Sequence, residues 1–267
     1  MANQHSNFRR QPASRPIIGH CHLHDGFESA EVEQFDGPAL VRTCQFCRWE
    51  ALNKAPLDSK ERNTALAQVR AERLNSALVG SGITPRFVDS SFDNYRVDDN
   101  SMAAKALETC QSYVNQFEEN YRLGRSLILA GKVGCGKSHL ASSIVQGVIR
   151  SHCAQALIVS VAEIIRISKG VMVKGADYTD IDVIRELAEV DLLVIDELGA
   201  QKGSDYELGV LHEVLDRRYQ LVRPTVVVSN LLIADLPTFL GHRALDRLRQ
   251  NGGLIAGFTW ESARATV

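Results

Sequence analysis

Residues 131–138 read Gly131-Lys132-Val133-Gly134-Cys135-Gly136-Lys137-Ser138, which fits the pattern G-x-x-x-x-G-K-[ST]. An apolar run, Ser126–Ala130, precedes them, and a helical stretch, Lys137–Arg150, follows. That strand–loop–helix context turns a glycine-rich octapeptide into a phosphate-binding loop. Glycines let backbone N–H groups curl around phosphate oxygens without side-chain clash. The helix N-terminus adds partial positive charge. Lys137 is expected on the β- and γ-phosphates, and the Ser138 hydroxyl on Mg²⁺. Gly131, Gly134, Cys135, Gly136, Lys137, Ser138 and His139 are the expected nucleotide-binding set.

Further along, Leu192-Leu193-Val194-Ile195-Asp196-Glu197 is an apolar strand ending in acid. Such a strand places its carboxylates at the sheet edge where α/β folds bind ligands. Asp196 is expected to hold Mg²⁺ through its water shell, and Glu197 to take the proton of the attacking water. On its own an Asp-Glu pair could be a helix cap; beside a phosphate loop the functional reading is favoured. Val226-Val227-Val228-Ser229-Asn230 is a third strand with a polar end. Asn230 could orient the lytic water, with a turn-forming Asn as the alternative. The one Asn-Lys pair, in Asn53-Lys54-Ala55-Pro56, lacks the acid of a guanine motif and precedes the loop, which favours adenine. Arg243, Arg247 and Arg249 follow in one helical stretch. They are either a solvated face, the bland reading for Arg249, or a source of arginine fingers to a neighbouring subunit's nucleotide. Arg264 lies just past the last apolar run.

Around these motifs, short apolar runs alternate with helical segments. The runs are Ser126–Ala130, Ala156–Val161, Leu192–Ile195, Thr225–Ser229 and Leu254–Phe258; the helices lie near 137–150, 162–172, 180–189, 206–222 and 242–250. Continuous Val/Ile/Leu runs are strands covered on both faces, and their alternation with helices predicts a parallel sheet. One further helix is expected over Ser101–Tyr121, with Met102, Ala106, Cys110, Val114, Phe117 and Tyr121 on its buried face.

The N-terminal third has another texture. Residues 1–19 carry Arg9, Arg10 and Arg15 and are expected to form a flexible basic arm. Residues 51–85 hold a linker helix near Leu57–Leu78, with Leu66, Val69, Leu74, Ala77 and Leu78 on one face, broken by Gly80, Gly82 and Pro85. Between arm and helix, residues 20–50 contain Cys21-x₂-His24 and Cys44-x₂-Cys47. Two close pairs suit a closed tetrahedral Zn²⁺ site, structural and not catalytic. His20 and His22 are rival ligands of awkward reach, and unliganded cysteines in a loop are the bland alternative. Cys110, Cys135 and Cys153 are scattered singly, as packing residues are.

Composition sets the bounds. The chain has 267 residues, 45% hydrophobic and 23% charged, with a net charge of -2. These values suit a globular protein and exclude collagen, a disulfide scaffold and wholesale disorder. No apolar run approaches the ~20 residues that span a bilayer, and the polar first 15 residues lack a signal-peptide core. A cytoplasmic protein is expected. No global positive field advertises nucleic-acid binding, so any such contact is local.

Taken together, residues 82–264 resemble the DnaC-like helicase loaders, a branch of the AAA+ ATPases related to the initiator DnaA. The resemblance rests on Ser81-Gly82-Ile83, Ser91-Phe92-Asp93-Asn94-Tyr95, Gly131–Ser138, Val190–Gly199, Leu215-Asp216-Arg217-Arg218, Leu240–Arg249 and Phe258-Thr259-Trp260-Glu261-Ser262. It implies an AAA+ three-layer sandwich with a five-stranded parallel sheet over residues 86–267, and ATP with Mg²⁺ as cofactors. By position, Arg243 resembles the trans-acting finger, Arg264 the second sensor and Asn230 the first. The role implied is an ATP-dependent loader that grips a hexameric replicative helicase, self-associates into a spiral and delivers the ring to single-stranded DNA. Hydrolysis then promotes release. Ser204, Tyr206 and the segment around Lys169 and Lys174 are candidates for the DNA contact. The expected aromatic there is absent from Gly170-Val171-Met172-Val173. The cysteine module departs from the best-known loaders and suggests a phage or prophage member. The related IstB-like transposition ATPases, which coat DNA, are the alternative, as is a zinc-containing adaptor that uses ATP only as a switch.

Overall fold

The computed structural model describes residues 8–170, 179–199 and 204–262. They form two compact units, one of Arg10–Gly80 and one of Ser81 onward joined by Phe8 and Arg9.

In the first unit, β1 (Ser14–His20) pairs antiparallel with β2 (Asp25–Val32), and β3 (Leu40–Val41) adds two residues at the edge. Two helices follow, α1 (Gln45–Asn53) and α2 (Lys60–Val79). The expected flexible arm is therefore wrong from Ser14 onward. Its basic residues have cross-strand partners, Arg10 on Glu33 at 2.8 Å and Arg15 on Glu31 at 2.7 Å. The Phe27 ring lies on Gly19 of β1, where a Cβ would come 2.4 Å from that ring and force it to move. The expected apolar face of α2 is also shifted. Leu66 is exposed, and the buried positions are Ala65, Asn75, Leu78 and Val79. Asn75 accounts for the shift: its side chain accepts from the Phe35 N–H at 2.9 Å and donates to the Glu33 carbonyl at 2.8 Å.

The second unit opens with Ser81, whose carbonyl accepts from the Ile158 N–H at 2.8 Å. Residues 81–85, expected in the linker, thus belong here. The helix expected over Ser101–Tyr121 is two helices, α3 (Ser101–Asn115) and α4 (Phe117–Leu123). The break is at Gln116, and the Asn120 side chain donates to the Tyr113 carbonyl across it. Met102 is exposed instead of buried, while Ala103, Ala106, Cys110, Tyr113 and Val114 form the covered stripe. Then come β4 (Leu127–Gly131), α5 (Lys137–His152), β5 (Ala156–Ser160), α6 (Val161–Gly170), α7 (Asp180–Glu189), β6 (Leu192–Leu198), α8 (Asp205–Gln220), β7 (Thr225–Ser229), α9 (Leu236–Arg249) and β8 (Leu254–Phe258).

The five strands β4–β8 are parallel and lie in the order β5-β6-β7-β4-β8. Ile128 and Ala130 of β4, with Leu193 and Ile195 of β6, share one apolar cluster with α6, α7, α8 and α9. Leu127, Leu129, Leu192 and Val194 alternate to the other face, the side of α3 and α5. That is a three-layer sandwich with the sheet in the middle. Phe8 joins the same apolar cluster, and Arg9 donates to the Gln155 side chain at 2.8 Å.

Candidate functional site

The sheet order explains the site. The strand β7 lies between β4 and β6, so the ends of all three come together at one sheet edge. The phosphate loop leaves β4, the acid pair ends β6, and Asn230 follows β7 between them.

The loop has the backbone it needs. Gly131, Gly134 and Gly136 all take positive φ, 136°, 82° and 84°. At Gly131 a Cβ would come 2.1 Å from the Phe258 carbonyl oxygen, so only glycine fits there. Lys137 is buried, and its ammonium donates to the carbonyls of Gly131 at 2.8 Å and Lys132 at 2.6 Å. The segment after β8 lies against the loop. The Cys135 thiol donates to the Trp260 carbonyl at 3.0 Å, Lys132 pairs with Glu261 at 3.2 Å, and the Ser262 side chain sits where a Cβ on Gly134 would be. Burial raises the Cys135 thiol above its ordinary pKa, so it stays protonated as that donor. His139 is turned away from the loop: its Nε2 pairs with the Ser91 carbonyl at 2.8 Å and its ring with Tyr95.

Asp196 is partly buried beside this loop. Burial raises its pKa, opposed by the Glu197 N–H at 2.7 Å, by the Ser138 side chain and by the Lys137 charge. Asp196 and the Ser138 side chain are thus within hydrogen-bond reach of each other, which would suit two groups around one hydrated Mg²⁺. Glu197 is exposed and takes a left-handed φ of 61°, where the register of β6 against β7 shifts between Ile195 and Leu198. Asn230 is exposed.

Sequence reasoning missed Ser229. Its buried hydroxyl donates to the Leu198 carbonyl at 2.7 Å and accepts from the Leu231 N–H at 3.1 Å. It staples the end of β7 to the end of β6, one residue from Asn230 and one from Glu197. Nothing local in the sequence marks it, because its partner lies 31 positions away.

Arg243 is exposed and lies just past a kink at Gly241, where α9 breaks with φ 75° and ψ 152°. Arg247 does not share its freedom: it pairs with Asp216 and lies over the Tyr219 ring. Arg249 is exposed, as a solvated face requires. Of the expected DNA-contacting residues, Ser204 caps α8, Tyr206 packs against the core, and Lys169 pairs with Glu207 at 3.4 Å. Lys174 and Arg264 lie outside the described residues.

A residue match and a fold comparison now carry the assignment. The profile of the IstB-like ATP binding proteins matches residues 88–249. The chain belongs to this ATP-binding family. The chain is 35% identical over 198 residues to the replicative helicase loader DnaC of Buchnera aphidicola subsp. Acyrthosiphon pisum, covering 74% of this chain and 78% of that one. It is 34% identical to DnaC of Escherichia coli K12 with the same coverage. The crystal structure of the DnaC helicase loader superposes with a TM-score of 0.59 at 22% identity, covering 66% of this chain and 99% of that one. The expected AAA+ fold is the fold observed, and an IstB/DnaC-type ATPase binds nucleotide with Mg²⁺. Among the described residues, no helix is long and apolar enough to cross a membrane.

The first unit holds a second constellation. The donor atoms of Cys21, His24, Cys44 and Cys47 all lie within 4.8 Å of one another. Cys21 Sγ is 3.9 Å from Cys47 Sγ, and His24 Nδ1 is 3.7, 3.7 and 3.3 Å from Cys21, Cys44 and Cys47. Zn–S bonds of 2.3 Å and Zn–N bonds near 2.0 Å at tetrahedral angles give edges of ~3.8 and ~3.5 Å. The residues fit that ion. Burial and the neighbouring thiols Cys21 and Cys44 push the Cys47 thiol up, while at Cys44 burial is outweighed by hydrogen bonds within the cluster, which hold that thiol below its ordinary value. The rivals are elsewhere, His20 on Asp25 and His22 exposed.

Proposed function

We propose that this chain is an ATP-dependent loader that binds a hexameric replicative helicase and helps place it on single-stranded DNA. The carrying observation is the grouping of the phosphate loop, Asp196–Glu197 and Asn230 at adjacent strand ends, in a chain whose curated relatives are helicase loaders. ATP binding at Lys137 and Ser138 drives self-association, in which the exposed Arg243 reaches a neighbour's nucleotide. Glu197 takes the proton of the lytic water, Asn230 orients that water, and Arg264 contacts the nucleotide from the same chain. Hydrolysis then releases the helicase. Cys21, His24, Cys44 and Cys47 hold one structural Zn²⁺, and the unit they order grips the helicase. This reading places the protein in a bacterial cytoplasm, and the cysteine module is the feature that supports a phage or prophage origin.

Mixing the full chain with the host's replicative helicase and sizing the mixture tests this. A complex with ATP that is lost in Lys137→Ala is expected. No complex in the presence of ATP would sink the loader reading. The family match to IstB-like proteins keeps one competitor in view: a stable filament on duplex DNA, without helicase binding, would favour a transposition ATPase.

A further inference from the structure

Tyr95 lies 36 residues before the phosphate loop begins at Gly131, yet it touches the loop's last turn at two points. Its hydroxyl donates to the Cys135 carbonyl at 2.9 Å. Its ring lies against Gly136 so closely that a Cβ there would come 2.6 Å from the ring. The ring's other neighbour is His139, with centroids 5.4 Å apart at 57°.

The chain leading to Tyr95 is itself tied to α5. Gln146 donates to the carbonyls of Val88 at 3.0 Å and Ser90 at 2.9 Å, and His139 pairs with the Ser91 carbonyl. Asn94 closes the turn, accepting from the Ser91 N–H at 2.9 Å and donating to the Asp89 carbonyl at 2.7 Å. Tyr95 is thus presented to the loop from a segment fixed on the loop's own helix. Burial pushes its phenol well above the ordinary range, so the hydroxyl remains a donor at any working pH.

A peptide unit is planar and trans, so its C=O and N–H point in opposite directions. Holding the Cys135 carbonyl outward on Tyr95 turns the Gly136 N–H the other way, toward the concave side of the loop. Phosphate loops bind their anion with such inward N–H groups. We infer that Tyr95 is a positioning residue for the phosphate loop: its hydroxyl fixes the Cys135–Gly136 peptide so that the Gly136 N–H faces the bound phosphates. Without that bond this peptide can rotate, since glycine at Gly136 tolerates either orientation. The loop then pays part of its ordering cost at the moment of binding. The inference rests on the phosphate-loop reading above.

Tyr95→Phe separates the bond from the packing, because it keeps the ring against Gly136 and His139 and removes one oxygen. Affinities for ATP and ADP, measured by titration on the full chain well below its melting temperature, are the readout. One hydrogen bond of ordinary net worth corresponds to about five- to tenfold. Both nucleotides are expected to weaken by that factor together, since the cradle is shared by the phosphates common to both. Tyr95→Ala, which also removes the ring, is expected to bind more weakly still. A purely structural bond would lower the melting temperature and leave both affinities in place; that result overturns the inference. Loss for ATP but not ADP overturns it as well. Lys137→Ala is the control for the underlying reading. If Lys137→Ala binds ATP normally, the phosphate-loop reading itself fails. If Lys137→Ala fails to bind and Tyr95→Phe binds as the natural chain does, only the role of Tyr95 falls.

Discussion

Glu197 occupies backbone space that non-glycine residues rarely visit, at φ 61°. Such a conformation costs of the order of 1–3 kcal/mol and persists where surrounding bonds over-determine it. Here they are the Glu197 N–H on Asp196 and the Ser229 staple on Leu198. The outcome is a carboxylate lifted out of the β6 ladder, exposed next to Asp196. Glu197→Gln keeps that shape and removes the proposed base. Turnover of ATP is expected to fall by about 10²-fold or more, the usual reach of general-base catalysis, with ATP binding nearly unchanged. Unchanged turnover would assign the base elsewhere. Arg218 is the opposite kind of residue, fully buried and bonded to backbone carbonyls. Its guanidinium donates to the carbonyls of Leu187, Ala188, Val190 and Pro224 and to the Thr225 hydroxyl. Burial lowers its pKa to about 9, which leaves it charged at neutral pH. Arg218→Met would strand several buried acceptors at about 1–3 kcal/mol each. Urea denaturation is expected to show a loss of ~3 kcal/mol or more, and a loss below ~1 kcal/mol would mean those carbonyls find other partners.

At the scale of elements, the strands and most helices of the second unit were readable from apolar runs and their spacing. The phosphate loop and the Asp196–Glu197 pair were readable too, because each is a contiguous motif. What was not readable is what lies between motifs. Ser229, Tyr95 and Arg218 act through partners 31, 40 and up to 31 positions away. The Ser229–Leu198 bond closes only once β7 lies beside β6, and sheet order has no local signature; Tyr95 reaches Cys135 because its segment folds back onto α5. The two misreadings have different causes. Leu66 fits an apolar periodicity, yet the buried Asn75 on α2 takes a covered position by bonding Phe35 and Glu33, while Met102 stands in the exposed first turn of α3, where its sulfur meets the Thr259 hydroxyl. Periodicity counts apolar residues and misses an asparagine that satisfies two backbone groups.

For the whole molecule, the small core of the Arg10–Gly80 unit decides the next expectation. Its buried apolar residues, among those described, are Phe27, Val32, Cys44, Ala65, Leu78 and Val79. Units of this size usually need a staple, and a structural Zn²⁺ supplies ~10–16 kcal/mol of apparent binding energy in small zinc peptides. Metal analysis is expected to give about one zinc per chain. Chelation is expected to abolish hydrogen-exchange protection across residues 10–80 and to leave that of β4–β8 in place. Zinc-free protein with full protection in 10–80 would refute the metal site.

The anchoring of Phe8 in the apolar cluster of the second unit has a mechanical consequence. The chain leaves that unit after Arg9 and re-enters it at Ser81, so the intervening residues are a closed loop of polypeptide with both ends moored, not a pendant on one string. A tug on that loop by anything it holds is divided between two lines. One ends on Phe8 and Gln155, the other on the Ser81–Ile158 hydrogen bond at the rim of β5. A single proteolytic nick in either line leaves the load on the other.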